Sequence, residues 1–136
     1  VSGLQAGSEL EPLVIEEVRP GPMKVMALLL RDPNPIHWDP GVVAELGLGE
    51  KPINQGPINV GYLMELAARS CGGPQNVRRF SVRFTGNVFA GDRVVCEGTV
   101  AAVDPAAGTA ELRLRAVVGE RSVLEGSAVV ALPSGA

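Results

Sequence analysis

Aromatic side chains are scarce in this sequence. Three Phe, one Trp and one Tyr amount to 4% of the residues, so any core has to be assembled from Val, Leu, Ala and Ile. There is a single histidine, and the two cysteines, Cys71 and Cys96, lie far apart without CxxC spacing. That set gives no plausible zinc centre and predicts two free thiols in a reducing compartment, with no bound metal. Lys- and Arg-rich blocks are also missing, and the net charge is -3. Phosphate binding rests on clustered positive charge, so no nucleic-acid partner is expected. The pair Arg78-Arg79 is too small to change this. No apolar run approaches the roughly 20 residues that span a bilayer, and the N-terminus has no basic-then-apolar signal pattern. A cytoplasmic protein with no membrane partner is expected.

What the chain does contain suits one globular domain. At 136 residues it is large enough to bury a core, and 46% hydrophobic with 20% charged residues is not the composition of a disordered chain. Residues 1–12 are weakly patterned and are expected to form a flexible tail. A single domain spans 13–132, and 133–136 form a short C-terminal tail. Leu13 to Val18 reads as a first strand, broken by Arg19-Pro20-Gly21-Pro22. Met23 to Leu30 reads as a short helix, with strand as the competing assignment, because periodicity cannot decide so apolar a run. Asp39-Pro40 marks a helix start, with Asp39 as N-cap and Pro40 in the first turn, and the glycines at 47 and 49 end it. A longer helix is predicted from about Ile58 to Ser70, with Val60, Leu63, Met64, Ala67 and Ala68 at three- and four-residue spacings and Gly72-Gly73-Pro74 as its stop. From Asn76 the period becomes two. Strands are predicted over 77–84, 93–103, 109–118 and 122–132, an antiparallel meander after a helical first half. One sheet wrapped on one long buried helix is the two-layer α+β solution.

The chemistry is concentrated in Arg31-Asp32-Pro33-Asn34-Pro35-Ile36-His37-Trp38-Asp39-Pro40. Prolines stiffen this stretch and fix the directions of Asp32, Asn34 and His37. Imidazole is the side chain suited to proton transfer near neutral pH, and a carboxylate within reach of it could share one bound water. Pro52-Ile53-Asn54-Gln55-Gly56-Pro57 then leads into the long helix. Amides at that helix start lack internal partners and sit at the positive end of the helix dipole, where they would polarise a carbonyl.

Asp32-Pro33-Asn34-Pro35-Ile36-His37-Trp38-Asp39-Pro40 resembles the signature of the MaoC-like (R)-specific enoyl-CoA hydratases and (3R)-hydroxyacyl-ACP dehydratases. Pro52-Ile53 with Gly56, Phe80-Ser81-Val82-Arg83-Phe84, and Val88-Phe89-Ala90-Gly91-Asp92 resemble that family's later segments in order. The likeness runs over roughly residues 22–132. It implies the hot-dog fold and reversible hydration of a trans-2-enoyl thioester to an (R)-3-hydroxyacyl thioester. Asp32 and His37 would activate the water, Asn34 would support the loop, and the Gly56 N–H would receive the thioester oxygen. No cofactor is implied, because coenzyme A or acyl-carrier pantetheine is part of the substrate. A homodimer is implied, with a hetero-oligomer containing a second hot-dog subunit as the alternative.

The chain departs from the family pattern at Gln55, where histidine is common, and at Arg31, where a small residue is common; both count, with Trp38, Leu63 and Met64, as candidate substrate contacts. Its spacing from His37 to Gly56 is also about one residue longer. Heteromeric actinobacterial relatives in steroid side-chain or fatty-acid metabolism make a motif-bearing subunit a second reading. A hot-dog thioesterase using Glu65 is a third, and a non-catalytic partner subunit a fourth. Trp38 either lines the acyl tunnel or packs beneath the loop. Leu63 and Met64 line an acyl pocket or, the favoured assignment, belong to the core. Tyr62 belongs to core or interface, and Asp39 is explained by capping.

Overall fold

The change of period near residue 76 divides the chain as the sequence implies. The computed structural model describes residues 3–133. The elements are β1 (Leu13–Ile15), α1 (Pro20–Leu30), a 3-10 turn (Pro35–His37), α2 (Pro40–Glu45), α3 (Gly56–Ser70), a second 3-10 turn (Pro74–Asn76), β2 (Val77–Phe84), β3 (Val94–Asp104), β4 (Thr109–Val118) and β5 (Arg121–Ala131). The strands form one antiparallel sheet in the order β1-β3-β4-β5-β2, which leaves β1 and β2 at its edges. This sheet curved around one long helix is the α+β hot-dog fold.

Alternation decides which sheet face meets the helix. Along β4, Ala110, Leu112, Leu114 and Ala116 are buried while Glu111, Arg113 and Arg115 are exposed. Helix α3 answers with Leu63, Leu66 and Ala67, and these join Val94, Cys96, Val123, Leu124, Ala128 and Val130 in one core. Each fully buried Leu there contributes about 2–3 kcal/mol by leaving water. The opposite stripe of α3, Pro57, Gly61, Glu65 and Arg69, is exposed at helical spacing, so the helix is covered on all but one side. Val60, Met64 and Ala68, read from the sequence as part of its apolar stripe, are only half-buried. No helix is long and apolar enough to cross a membrane, among the described residues.

Several boundaries differ from expectation. Residues 3–12 do not hang loose: Gly7 N–H donates to Val100 O at 2.8 Å, Leu10 N–H to Gly98 O at 2.8 Å, and Val100 N–H to Ser8 O at 2.9 Å. Leu10 is buried because β3 carries a glycine beneath it; a Cβ on Gly98 would lie 2.8 Å from Leu10 Cδ1. Strand β1 ends at Ile15 instead of Val18. Val18 is buried and instead exchanges backbone hydrogen bonds with the turn at Gly91 and Asp92 (2.7 and 2.9 Å). Pro20 and Pro22 do not delay α1 but occupy its first turn, where a missing N–H costs nothing. Helix α3 likewise starts at Gly56, two residues before Ile58, with Pro57 in its first turn. Leu132 stays tied to the sheet through Gly108 O at 2.8 Å, and the tail expected at 133–136 lies, beyond Pro133, outside the described residues.

Candidate active site

Helix α1 delivers the carboxylate. Arg31 follows it with φ 51, in the left-handed region. Its N–H donates to Leu28 O at 3.2 Å, and the Asp32 N–H donates to Ala27 O at 2.9 Å. These two bonds make a Schellman motif, with Arg31 in the place usually held by glycine. Asp32 is thereby fixed by its own backbone amide. Its Oδ1 accepts the Asn34 N–H at 3.0 Å, and Asn34 Oδ1 accepts the Ile36 N–H at 3.3 Å. Asn34 is exposed and acts as the side-chain cap of the 3-10 turn that carries His37.

His37 is buried, with 8% of its surface open. Its Nδ1 lies 2.6 Å from the Ile53 carbonyl oxygen. A carbonyl only accepts, so Nδ1 carries a proton, and in the neutral imidazole Nε2 then presents a lone pair. Nε2 lies 3.4 Å from Asp32 Oδ2, and that carboxylate is one-third exposed. Two acceptors thus face one another at a spacing too long for a strong direct bond. A water placed at this pair can donate one proton to each. Its own lone pairs then point away from both.

Ile53 holds the two halves of the site together. Its N–H donates to Ile36 O at 2.9 Å, and it bridges to Phe89 on its other side. The Asn54 N–H bonds Val88 O at 2.7 Å, and the Ala90 N–H bonds Pro52 O at 2.9 Å. The approach to α3 therefore lies between the histidine loop and the 86–92 connection. In the first turn of α3, Pro57 has no N–H, while Ile58 and Asn59 both donate to Gln55 O at 3.0 and 3.3 Å. No acceptor among the described residues reaches the Gly56 N–H.

Gln55 is buried, with 1% of its surface open, and its Nε2 donates to Met23 O of α1 at 2.6 Å; its Oε1 has no partner among the described residues. Nearby, Asn54 Nδ2 donates to Asn59 Oδ1 at 2.8 Å and to the Tyr62 hydroxyl at 3.2 Å. Burial pushes the Tyr62 hydroxyl upward, partly opposed by that Asn54 hydrogen bond.

A cavity of about 310 Å³ opens beside the carboxylate, lined by Lys24, Ala27, Leu28, Asp32 and Trp38. Trp38 is 37% exposed and forms one wall. Leu63 is closed inside the core, because it points from α3 onto the sheet. Met64 is half-buried, and neither residue lines this cavity. Arg31 is exposed. Asp39 is the cap expected: its Oδ1 accepts the N–H groups of Gly41 and Val42 at 2.9 and 3.4 Å. Sequence reasoning did not identify Lys24, Ala27 and Leu28 as cavity residues, although their three- and four-residue spacing puts them on one face of α1.

The chain matches the MaoC like domain family over residues 11–120. The R-hydratase from A. caviae involved in PHA biosynthesis superposes with TM-score 0.85 at 28% identity, covering 98% of this chain and 100% of that chain. R-hydratase PhaJ1 from Pseudomonas aeruginosa gives TM-score 0.84 at 22% identity, covering 97% and 84% of the two chains. A chain of the ChsH1–ChsH2 complex from Mycobacterium tuberculosis gives TM-score 0.80 at 18% identity, covering 94% and 98%. No curated protein sequence matches the chain significantly.

Proposed function

We propose that this chain, which belongs to the MaoC-like domain family, catalyses reversible hydration of a trans-2-enoyl thioester of coenzyme A or an acyl carrier to the (R)-3-hydroxyacyl thioester. The observation that carries this reading is the pair Asp32 Oδ2 and His37 Nε2 at 3.4 Å, with the histidine tautomer fixed by Ile53 O. A water donating to both acceptors keeps its lone pairs for the substrate's β-carbon. As the C–O bond forms, one of the pair takes a proton as base, and the pair returns that proton to the α-carbon. The water's two hydrogens end on the new hydroxyl and on the α-carbon, and both residues regain their starting states. Charge that builds on the thioester oxygen meets the free Gly56 N–H at the positive end of α3. The thioester itself acidifies the α-position, so no separate cofactor is required.

The thioesterase reading loses support from Glu65, which lies on the exposed stripe of α3 and is paired with Arg69. A non-catalytic subunit would have no use for Asp32 and His37 at this spacing. Association with a second hot-dog subunit, identical or not, is supported by two exposed features. One is the outer edge of β2. The other is the apolar surface of α1, where Val25, Leu28 and Leu29 are each more than half open. The test is loss of enoyl-thioester absorbance when the purified chain is given crotonyl-CoA and longer or polycyclic enoyl-CoAs, followed by analysis of product configuration. Formation of the (R)-alcohol supports the reading. Free acid as the only product, or no turnover at any acyl size with or without a co-purifying partner, refutes it.

A further inference from the structure

Glycine at position 56 is not required by its backbone, whose φ is not positive. What it leaves room for is an aromatic ring. A Cβ built there would lie 3.1 Å from both Cε1 and Cζ of Phe84. The ring of Phe84 therefore rests directly on the residue whose N–H is the unpaired amide of α3. Phe84 is the last residue of the edge strand β2, opposite Leu124, and it is 56% exposed. By alternation along β2 it shares a face with Phe80 and Val82, yet those two pack half-buried against the core while Phe84 does not. Much of the apolar surface of this ring stays open to water, while part of it lies against the start of the long helix.

We propose that Phe84 is a positioning residue for the hydration reaction, an inference that rests on the function proposed above. Its ring closes one side of the Gly56 amide. Lying against Gly56, the ring borders the approach to that N–H and orients the thioester oxygen arriving there. The ring also keeps water from competing for the amide, and a hydrogen bond at a site shielded from water stabilises developing charge more strongly. Gly56 and Phe84 thus act as one unit, the glycine leaving room for the ring and the ring guarding the amide.

The experiment is a mutant cycle with Phe84→Ala, Phe84→Leu, Gly56→Ala and the double variant Gly56→Ala/Phe84→Ala. Each is assayed for kcat and KM on the best enoyl-CoA and for thermal unfolding. Phe84→Ala is expected to lower kcat about tenfold or more, with a smaller change in KM, and Phe84→Leu to recover most of the loss. Gly56→Ala is expected to lower kcat/KM by a larger factor with Phe84 present than in the Phe84→Ala background, because the added methyl meets the ring. If Phe84→Ala leaves kcat unchanged, or Gly56→Ala costs the same factor in both backgrounds, the proposal is overturned. Should Phe84→Ala not fold, the Phe84→Leu background supplies the same comparison. Wild-type inactivity on every enoyl-CoA would refute the hydration reading itself. Wild-type activity with no effect at Phe84 refutes only this inference.

Discussion

Replacing Arg31 by glycine should stabilise the protein. Arg31 has φ 51, and it is the one non-glycine residue with positive φ among those described. An L-residue in the left-handed region costs about 1–2 kcal/mol, because Cβ crowds the following carbonyl. Glycine removes that cost but loses about 0.5–1 kcal/mol more conformational entropy on folding. The net gain is centred on about 0.75 kcal/mol. No interaction of the Arg31 side chain stands against it, since the residue is exposed and makes no ion pair among the described residues. For a chain of this size the gain corresponds to a rise in Tm of about 2–5 °C. Thermal unfolding of Arg31→Gly beside Arg31→Ala separates the causes, because alanine keeps the Cβ. Alanine should leave Tm nearly unchanged. A fall in Tm for glycine, or an equal rise for alanine, would refute the backbone argument. Asp32 is held by its amide to Ala27 O, so Arg31→Gly should also retain the turnover proposed above.

Asp39→Ala should cost about 1 kcal/mol of stability in a denaturant titration, from the lost cap of α2, while Asp39→Asn preserves both stability and turnover; a large activity loss in Asp39→Asn would assign Asp39 a chemical role. Gln55→Glu should destabilise by about 3 kcal/mol at neutral pH, since a buried carboxylate would face the Met23 carbonyl without a donor. That deficit should shrink as the pH falls and the new carboxyl protonates, and a pH-independent deficit would contradict it. Burial pushes the Cys96 thiol up to about 12, with the nearby Glu65 charge adding to it. Folding keeps this thiol protonated at a pH where the unfolded chain ionises it, so its contribution is full below about pH 9 and is lost as the pH rises towards 12. Cys96 should accordingly resist thiol reagents in the native state at about pH 8, and rapid labelling there would show the core to be open.

The elements that proved legible are those whose signals are local. The period-two patterning from Asn76 onward placed four strands to within a residue or so. Asp32 and His37 were legible as neighbours because prolines fix the short path between them. What was not legible depends on contacts distant in sequence. The carbonyl that sets the His37 tautomer comes from Ile53, 16 residues on. The docking of residues 3–12 depends on the bare surface of Gly98, which reads in sequence as no more than a glycine inside a strand. Phe84 fits the alternation of β2 but sits at its end, and alternation does not say how far the core extends. The left-handed Arg31 was not legible because a residue with a Cβ seldom takes that conformation, so no local signal marked it.

Asp32 and His37, in the function proposed, work as one acid–base pair on a water. Asp32→Asn tests this most directly, because Asn retains the Oδ1 that accepts the Asn34 N–H while replacing the acceptor facing Nε2 by a donor. The measurement is kcat for enoyl-CoA hydration by wild type and Asp32→Asn at matched Tm, with His37→Ala alongside. A loss on the order of 10²–10⁴ in each variant, with the fold intact, is the predicted result. Turnover within a fewfold of wild type in Asp32→Asn would contradict the account.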